Sequence, residues 1–314
     1  MEQIEDLIEK ILEEEPSKVL VQVPEGLRKK VTDIQSRLER EGVETFVSLE
    51  PCYGACDIKD KEAKELGCDL LVHVGHTKFC DDERIKTLYF PWYYERDPVP
   101  LLKQSLDRLK GFENIGLLST ANFLPSLDKA RAFLEEEGFN VFTEEGDRTA
   151  EGQILGCDVS AALAVEDKVD CYLYFGSGIF HPLGLLSETE APVFRLDFEE
   201  NEIEEMSLDR FKRQRIIAVE KAKEAKTFGI LLTTKKGQSR PELASRLKEK
   251  LEASDKRAYL FTMDEVTPGK LAGIDVDCLI NTACPRVAVE HRTQFGVPIL
   301  NPDELEEALL GSNL

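Results

Sequence analysis

Apolar residues recur at helical spacing at Ile4, Leu7, Ile8, Ile11 and Leu12, and an unbroken apolar run then follows at 19–23, interrupted only by Gln22. A period near 3.6 marks one buried helix face, and a short apolar run bounded by turn residues marks a buried strand. The same succession returns twice more. Helical spacing over 101–109 leads to a run at 115–118, and helical spacing over 208–225 leads to a run at 228–232. A second helix is predicted after each run, through Leu27, Val31, Ile34 and Leu38, through Leu127, Ala130 and Phe133, and through Leu243, Leu247 and Leu251. Gly42 and Gly138 stand where helix C-caps are expected.

The back half of the pattern repeats as well. Second strands are predicted at 44–47, 140–143 and 258–261, third strands at 70–76, 171–176 and 278–283, and closing strands at 87–90, 192–196 and 298–300. Asp69, Asp170 and Asp277 each stand just before or at the start of a third strand. Strands alternating with helices predict an α/β protein with parallel sheets flanked by helices. The spacing reads as an internal triplication into three similar domains, 1–97, 98–206 and 207–314. Ligands of such sheets bind beyond the carboxyl ends of the strands. Around a pseudo-threefold axis, those ends are expected to face a central site. The acidic runs 13–15, 135–137 and 199–205 are read as solvated helix faces or linkers.

Composition narrows the function. The formal net charge of −21 opposes nucleic-acid binding, which needs a cationic surface. No apolar run approaches the length of a membrane span, and the acidic, amphipathic start resembles neither a signal nor a transit peptide. A cytoplasmic protein with no membrane contact and reduced thiols is expected.

The eight cysteines divide into two kinds. Cys68, Cys171 and Cys278 lie inside apolar segments and read as small core residues. Cys56, Cys157 and Cys284 lie in turns flanked by Gly or Pro, one per predicted domain, and Cys52 and Cys80 are undecided. A ligand thiolate must be reachable, so it belongs on such a turn. Three thiolates leave a four-metal cluster one ligand short, with an open metal for substrate. No paired C-x-x-C of a zinc site is present. From spacing alone, a shared metal site and three unrelated thiols both remain open.

Longer segments carry a resemblance. Val23-Pro24-Glu25-Gly26-Leu27, Tyr53-Gly54-Ala55-Cys56-Asp57-Ile58 and Leu71-Val72-His73-Val74-Gly75-His76 are similar, in order, to the diphthamide-synthesis family. So are Gly152-Gln153-Ile154-Leu155-Gly156-Cys157, Gly178-Ile179-Phe180-His181-Pro182-Leu183-Gly184 and Thr282-Ala283-Cys284-Pro285-Arg286. The resemblance implies a homodimeric 2-(3-amino-3-carboxypropyl)histidine synthase with a [4Fe–4S] cluster on Cys56, Cys157 and Cys284. It further implies S-adenosylmethionine as co-substrate, cleaved on its methionine side with an electron from an unknown donor. The aminocarboxypropyl group would pass to C2 of a histidine of elongation factor 2, leaving methylthioadenosine.

Gln153, Arg286, His76, His181 and Gly26 are the candidate substrate-binding residues, with no catalytic side chain expected beyond the cluster. Arg suits a carboxylate, and Gly26 would let backbone approach a ligand at a helix N-terminus. The plainer alternatives are a surface ion pair for Arg286, turn-capping or buried roles for the histidines, and a simple turn at Gly26. Two rival readings are a quinolinate-synthase-like [4Fe–4S] dehydratase and a non-catalytic iron–sulfur electron-transfer protein.

Overall fold

The computed structural model describes residues 2–310. The chain forms two compact units, one ending at Met206 and one beginning at Ser207.

The first unit opens with α1 (Glu2–Glu13), whose Ile4, Leu7, Ile8 and Ile11 are buried, as its apolar spacing requires. β1 (Lys18–Gln22) follows, then a 3-10 turn over Glu25–Lys30 that runs into α2 (Val31–Arg40). β2 (Glu44–Ser48), α3 (Asp60–Glu65), β3 (Leu70–Val74) and β4 (Lys86–Phe90) complete a parallel sheet of order β2-β1-β3-β4. The second sheet follows α4 (Val99–Leu109). It is built from β5 (Asn114–Ser119), α5 (Leu124–Glu136), β6 (Asn140–Phe142), α6 (Ser160–Leu163), β7 (Cys171–Phe175), α7 (Phe180–Leu186) and β8 (Val193–Asp197). Its parallel order is β6-β5-β7-β8.

An antiparallel edge strand, β9 (Glu202–Glu205), is added to that sheet and corrects the sequence reading of 199–205 as a solvated face or linker. The acidic run hides a strand pattern. Ile203 points inward and is buried, while Glu204 meets Arg195 directly opposite on β8, Nη2 to carboxylate, at 2.7 Å. Arg195 also pairs with Asp197 at 2.8 Å, so the carboxylates there hold a buried cation.

The second unit comprises α8 (Asp209–Lys223), β10 (Thr227–Leu232), α9 (Pro241–Ala253), β11 (Arg257–Thr262), β12 (Cys278–Asn281), α10 (Arg286–Glu290), β13 (Ile299–Leu300) and α11 (Pro302–Leu310). Its sheet, also parallel, has order β11-β10-β12-β13. The protein is therefore mixed α/β, with three mostly parallel sheets flanked by helices. β7 is buried at every position, as a central strand covered on both faces must be.

One device recurs at the start of each sheet. The Asp69 carboxylate accepts the backbone N–H groups of Ser17 and Lys18, at 2.8 and 3.2 Å. Asp170 accepts those of Glu113 and Asn114 at 3.0 and 2.8 Å, and Asp277 those of Lys226 and Thr227 at 2.9 and 2.8 Å. Each aspartate ties the entry of the third strand to the entry of the first. Gly42 and Gly138 end α2 and α5 with φ of +84° and +95°, where a side chain would be strained.

Candidate functional site

The chemistry collects at the carboxyl ends of the strands. Gln22 ends β1 and is fully buried. A polar side chain there must find partners. Its Nε2 donates to the Asp57 carbonyl at 2.7 Å, and its Oε1 accepts the Lys59 N–H at 3.1 Å. Both contacts grip the loop that carries Cys56. That loop turns tightly, with the Asp57 N–H donating to the Gly54 carbonyl at 3.0 Å. A Cβ on Gly54 would stand 3.4 Å from the Cys56 sulfur, so glycine keeps the space beside that sulfur clear.

Gln22 also fixes a tautomer. Its Oε1 can only accept, so the Nδ1 of buried His73, 3.0 Å away, carries the proton. The His73 Nε2 lone pair then faces His76 Nδ1 at 3.0 Å. Burial pushes His73 well below the ordinary histidine value, helped by His76, and pushes His76 down to about 4, so both are neutral at pH 7. The Cys52 sulfur lies within 4.8 Å of ring nitrogens of both.

The Cys157 loop continues the second sheet. The Ser119 N–H donates to the Gly152 carbonyl at 2.8 Å, and the Ile154 N–H returns to the Ser119 carbonyl at 2.9 Å. The loop then lies on α7 through glycine-only contacts. A Cβ on Gly156 would come within 2.5 Å of the Phe180 ring, and one on Gly184 within 2.6 Å of the Gly156 carbonyl oxygen. The Gly156 N–H donates to His181 Nδ1 at 3.0 Å, which leaves the proton of that ring on Nε2. Cys157 is exposed at the end of this seat.

In the second unit Cys284 follows β12 directly. The buried Asn281 at that strand's end donates to the Cys284 carbonyl at 2.8 Å and to Asn301 Oδ1 at 3.0 Å, and the chain turns into α10. Cys284, like Cys56, is half-buried.

The remaining candidates are placed as follows. Gln153 is buried, and its amide is engaged by Thr77 Oγ1 at 2.9 Å and by the Ala150 N–H at 3.2 Å. It therefore pins the residue after His76 to the Cys157 loop. Arg286 is half-exposed and pairs through Nε with Glu290 one turn along α10. Gly26 lies in the 3-10 turn after β1, where a Cβ would only touch the Tyr94 hydroxyl at 3.8 Å. Sequence reasoning missed Gln22 and His73. Their signal was present: each is a polar residue inside an apolar strand run.

The donor set fits an iron–sulfur group. Cys171 and Cys278 lie within β7 and β12, fully buried in the core, where burial pushes both thiols up to about 12. Cys56, Cys157 and Cys284 lie on reachable loops at strand carboxyl ends, as does half-buried Cys80 between β3 and β4, and sulfur is the soft donor that iron–sulfur clusters take. Among the described residues no helix is long and apolar enough to cross a membrane.

Known proteins resemble the chain over nearly its whole length. The chain is 36% identical to the 2-(3-amino-3-carboxypropyl)histidine synthase of Pyrococcus horikoshii, over 94% of this chain and 86% of that protein. It is 31% identical to subunit 1 of the same-named synthase from Gibberella zeae, over 93% of this chain but only 65% of that longer protein. The fold matches the crystal structure of Dph2 from Pyrococcus horikoshii with a 4Fe-4S cluster, with a TM-score of 0.90, 34% identity, and coverage of 99% of this chain and 91% of that one. The family model for diphthamide synthesis proteins matches residues 23–313, and the chain belongs to that family.

Proposed function

We propose that the protein carries out the first step of diphthamide synthesis, as a 2-(3-amino-3-carboxypropyl)histidine synthase. One observation carries the reading. Three sheets of the same parallel strand order each present a cysteine of the resemblance, Cys56, Cys157 or Cys284, on a carboxyl-end loop outside the core. The names of the relatives and the cluster in the Pyrococcus Dph2 structure support it. The shared strand order and the three aspartate ties favour an internal triplication, with domains 1–97, 98–206 and 207–314.

Cys56, Cys157 and Cys284 would hold the [4Fe–4S] cluster. When bound, it would supply the electron for cleaving the methionine-side carbon–sulfur bond of S-adenosylmethionine to methylthioadenosine. The acceptor is C2 of a histidine of elongation factor 2. Gln153 holds the His76 end of β3 against the Cys157 loop, and the Gly156–Gly184 contact sets that loop's height on α7. Arg286 stands two residues after Cys284 and is the cation assigned to the aminocarboxypropyl carboxylate, in exchange for Glu290. His76, His181, through Nε2–H, and Gly26, at the β1 end, complete the substrate surface. A cytoplasmic homodimer fed by a separate electron donor completes the reading.

The test is anaerobic purification with iron analysis, followed by reaction with dithionite, S-adenosylmethionine and archaeal elongation factor 2. Methylthioadenosine and a histidine heavier by one aminocarboxypropyl group are expected. 5′-Deoxyadenosine as the main product would refute the bond assignment. Quinolinate formation would favour the dehydratase reading, and a cluster that shuttles electrons without transfer would favour the electron-transfer reading.

A further inference from the structure

Cys52 and His73 have no role in that reaction, yet they cluster with His76. Their ligand atoms all lie within 4.8 Å of one another, and Cys52 and His73 are buried. A buried thiol beside one buried and one half-buried imidazole gathers three metal-ligating groups in one place. We propose that these three side chains form a second metal site, taking one zinc-class divalent ion through Cys52 Sγ, His73 Nε2 and His76 Nδ1. The inference concerns this chain's own residues and does not depend on the cluster reading.

Three features support it. The donor set is mixed sulfur and imidazole nitrogen, which borderline divalent ions prefer. The His73 tautomer is already set. Gln22 Oε1 takes the Nδ1 proton and turns the Nε2 lone pair inward, as the outer partner of a metal-bound histidine does. The two inner nitrogens are 3.0 Å apart, close to the about 3.3 Å that two ligands about 2.05 Å from a tetrahedral ion require. Burial, with Asp57 beside it, pushes the Cys52 thiol up to about 12, so its proton would leave only in exchange for the ion. With three protein ligands, a fourth position is left for water.

Such an ion would join two pieces of the first unit. Cys52 begins the loop that carries Cys56 four residues on, while His73 and His76 belong to the end of β3. From behind, the loop is held by Gln22 on β1. The ion would fix its front, and so the height at which Cys56 is offered.

The test uses the full-length chain with Cys56→Ser, Cys157→Ser and Cys284→Ser, so that no cluster ligand competes, stripped of metal and titrated with Co²⁺ and then Zn²⁺. One Co²⁺ per chain is expected, with a near-ultraviolet sulfur-to-cobalt band and the strong visible bands of a four-coordinate ion, all lost on adding Zn²⁺. Adding Cys52→Ser, a near-isosteric change, should remove the sulfur band. Adding Gln22→Leu should weaken binding about 10–100-fold. Circular dichroism checks that each variant is folded. Absence of stoichiometric Co²⁺ binding would overturn the proposal, and so would a sulfur band that survives Cys52→Ser. Either result would leave a hydrogen-bonded imidazole pair only.

Discussion

The two ends of the three sheets behave differently. At the amino ends of the strands, the same solution occurs three times: an aspartate at the entry to the third strand accepts two backbone N–H groups from the entry to the first. At the carboxyl ends nothing is repeated in detail. Gln22 grips one cysteine loop, glycine contacts with α7 seat the second, and Asn281 turns the third. One end stores the fold and the other carries the chemistry. The fold end needs only a short acceptor, so one residue type suffices in every copy. The chemical end must present different groups, so each copy solves its packing separately.

The sharpest test of this division is the loss of a loop cysteine. Cys56→Ala, Cys157→Ala and Cys284→Ala should each abolish aminocarboxypropyl transfer and leave the iron cluster absent or labile. The thermal midpoint of the metal-free protein should hardly move, since substitutions at such half-open positions change stability by about 0.5 kcal/mol or less. Cys171→Ala should do the reverse, keeping the cluster while loosening the core around β7. Iron content and a melting curve on each variant decide it. A cluster that survives Cys157→Ala would break the comparison.

Thiol reactivity separates the same two populations. Cys171 and Cys278, at about 12 against an ordinary 9.0, hold about a thousandfold less thiolate than an open thiol, before burial blocks the reagent at all. In the native metal-free chain at pH 8, iodoacetamide should modify Cys157 first, and Cys171 and Cys278 only after unfolding. Peptide mass mapping over time reads the order. Early modification of Cys278 would contradict the core assignment.

Much of this was legible from the chain. The strands fell where apolar runs predicted them, because a strand buried on both faces leaves a continuous apolar record. The three loop cysteines were legible because Gly and Pro flank them in otherwise regular units. What the sequence hid was pairing across distance. β9 was concealed because its charges face Arg195, a partner on the neighbouring strand. The Gln22–His73–His76 chain was concealed because three polar residues 51 and 3 positions apart meet only when β1 and β3 lie side by side. Gln153 was singled out for a substrate, and its amide is occupied in holding Thr77, a contact 76 residues away.

Backbone contact at the chemical end gives a smaller, graded effect. Gly184→Ala would place a Cβ 2.6 Å from the Gly156 carbonyl oxygen, against backbone that cannot rotate away. The Cys157 loop must then lift off α7. Overpacking of this kind costs about 1–3 kcal/mol, so the protein should stay folded at room temperature. Cluster retention should fall more than stability does. Equal losses in iron content and melting temperature for Gly184→Ala and for a core variant such as Cys171→Ala would show that this loop has no special link to the cluster.

The smallest effect belongs to the fold end and is a matter of pH. The Asp170 carboxyl is held below its usual range by the backbone N–H groups of Glu113 and Asn114. Asp277 is held down first by the Thr227 hydroxyl and then by the N–H groups of Lys226 and Thr227. A carboxyl depressed in the folded state binds its proton more weakly there than in the unfolded chain. Its stabilisation is complete above the unfolded value of 3.8 and is lost as pH falls through the lower folded value. Asp170→Asn with Asp277→Asn removes the charge and keeps one acceptor oxygen. The double variant should therefore melt below the wild type at pH 7, and the gap should close as the pH is taken below 3.8. Transfer activity at pH 7 and 25 °C should be unchanged, because neither residue is near a strand's carboxyl end. A gap that stays constant with pH would mean that the aspartates act through shape alone. A loss of activity without a loss of stability would mean that the two ends of the sheets are not separate after all.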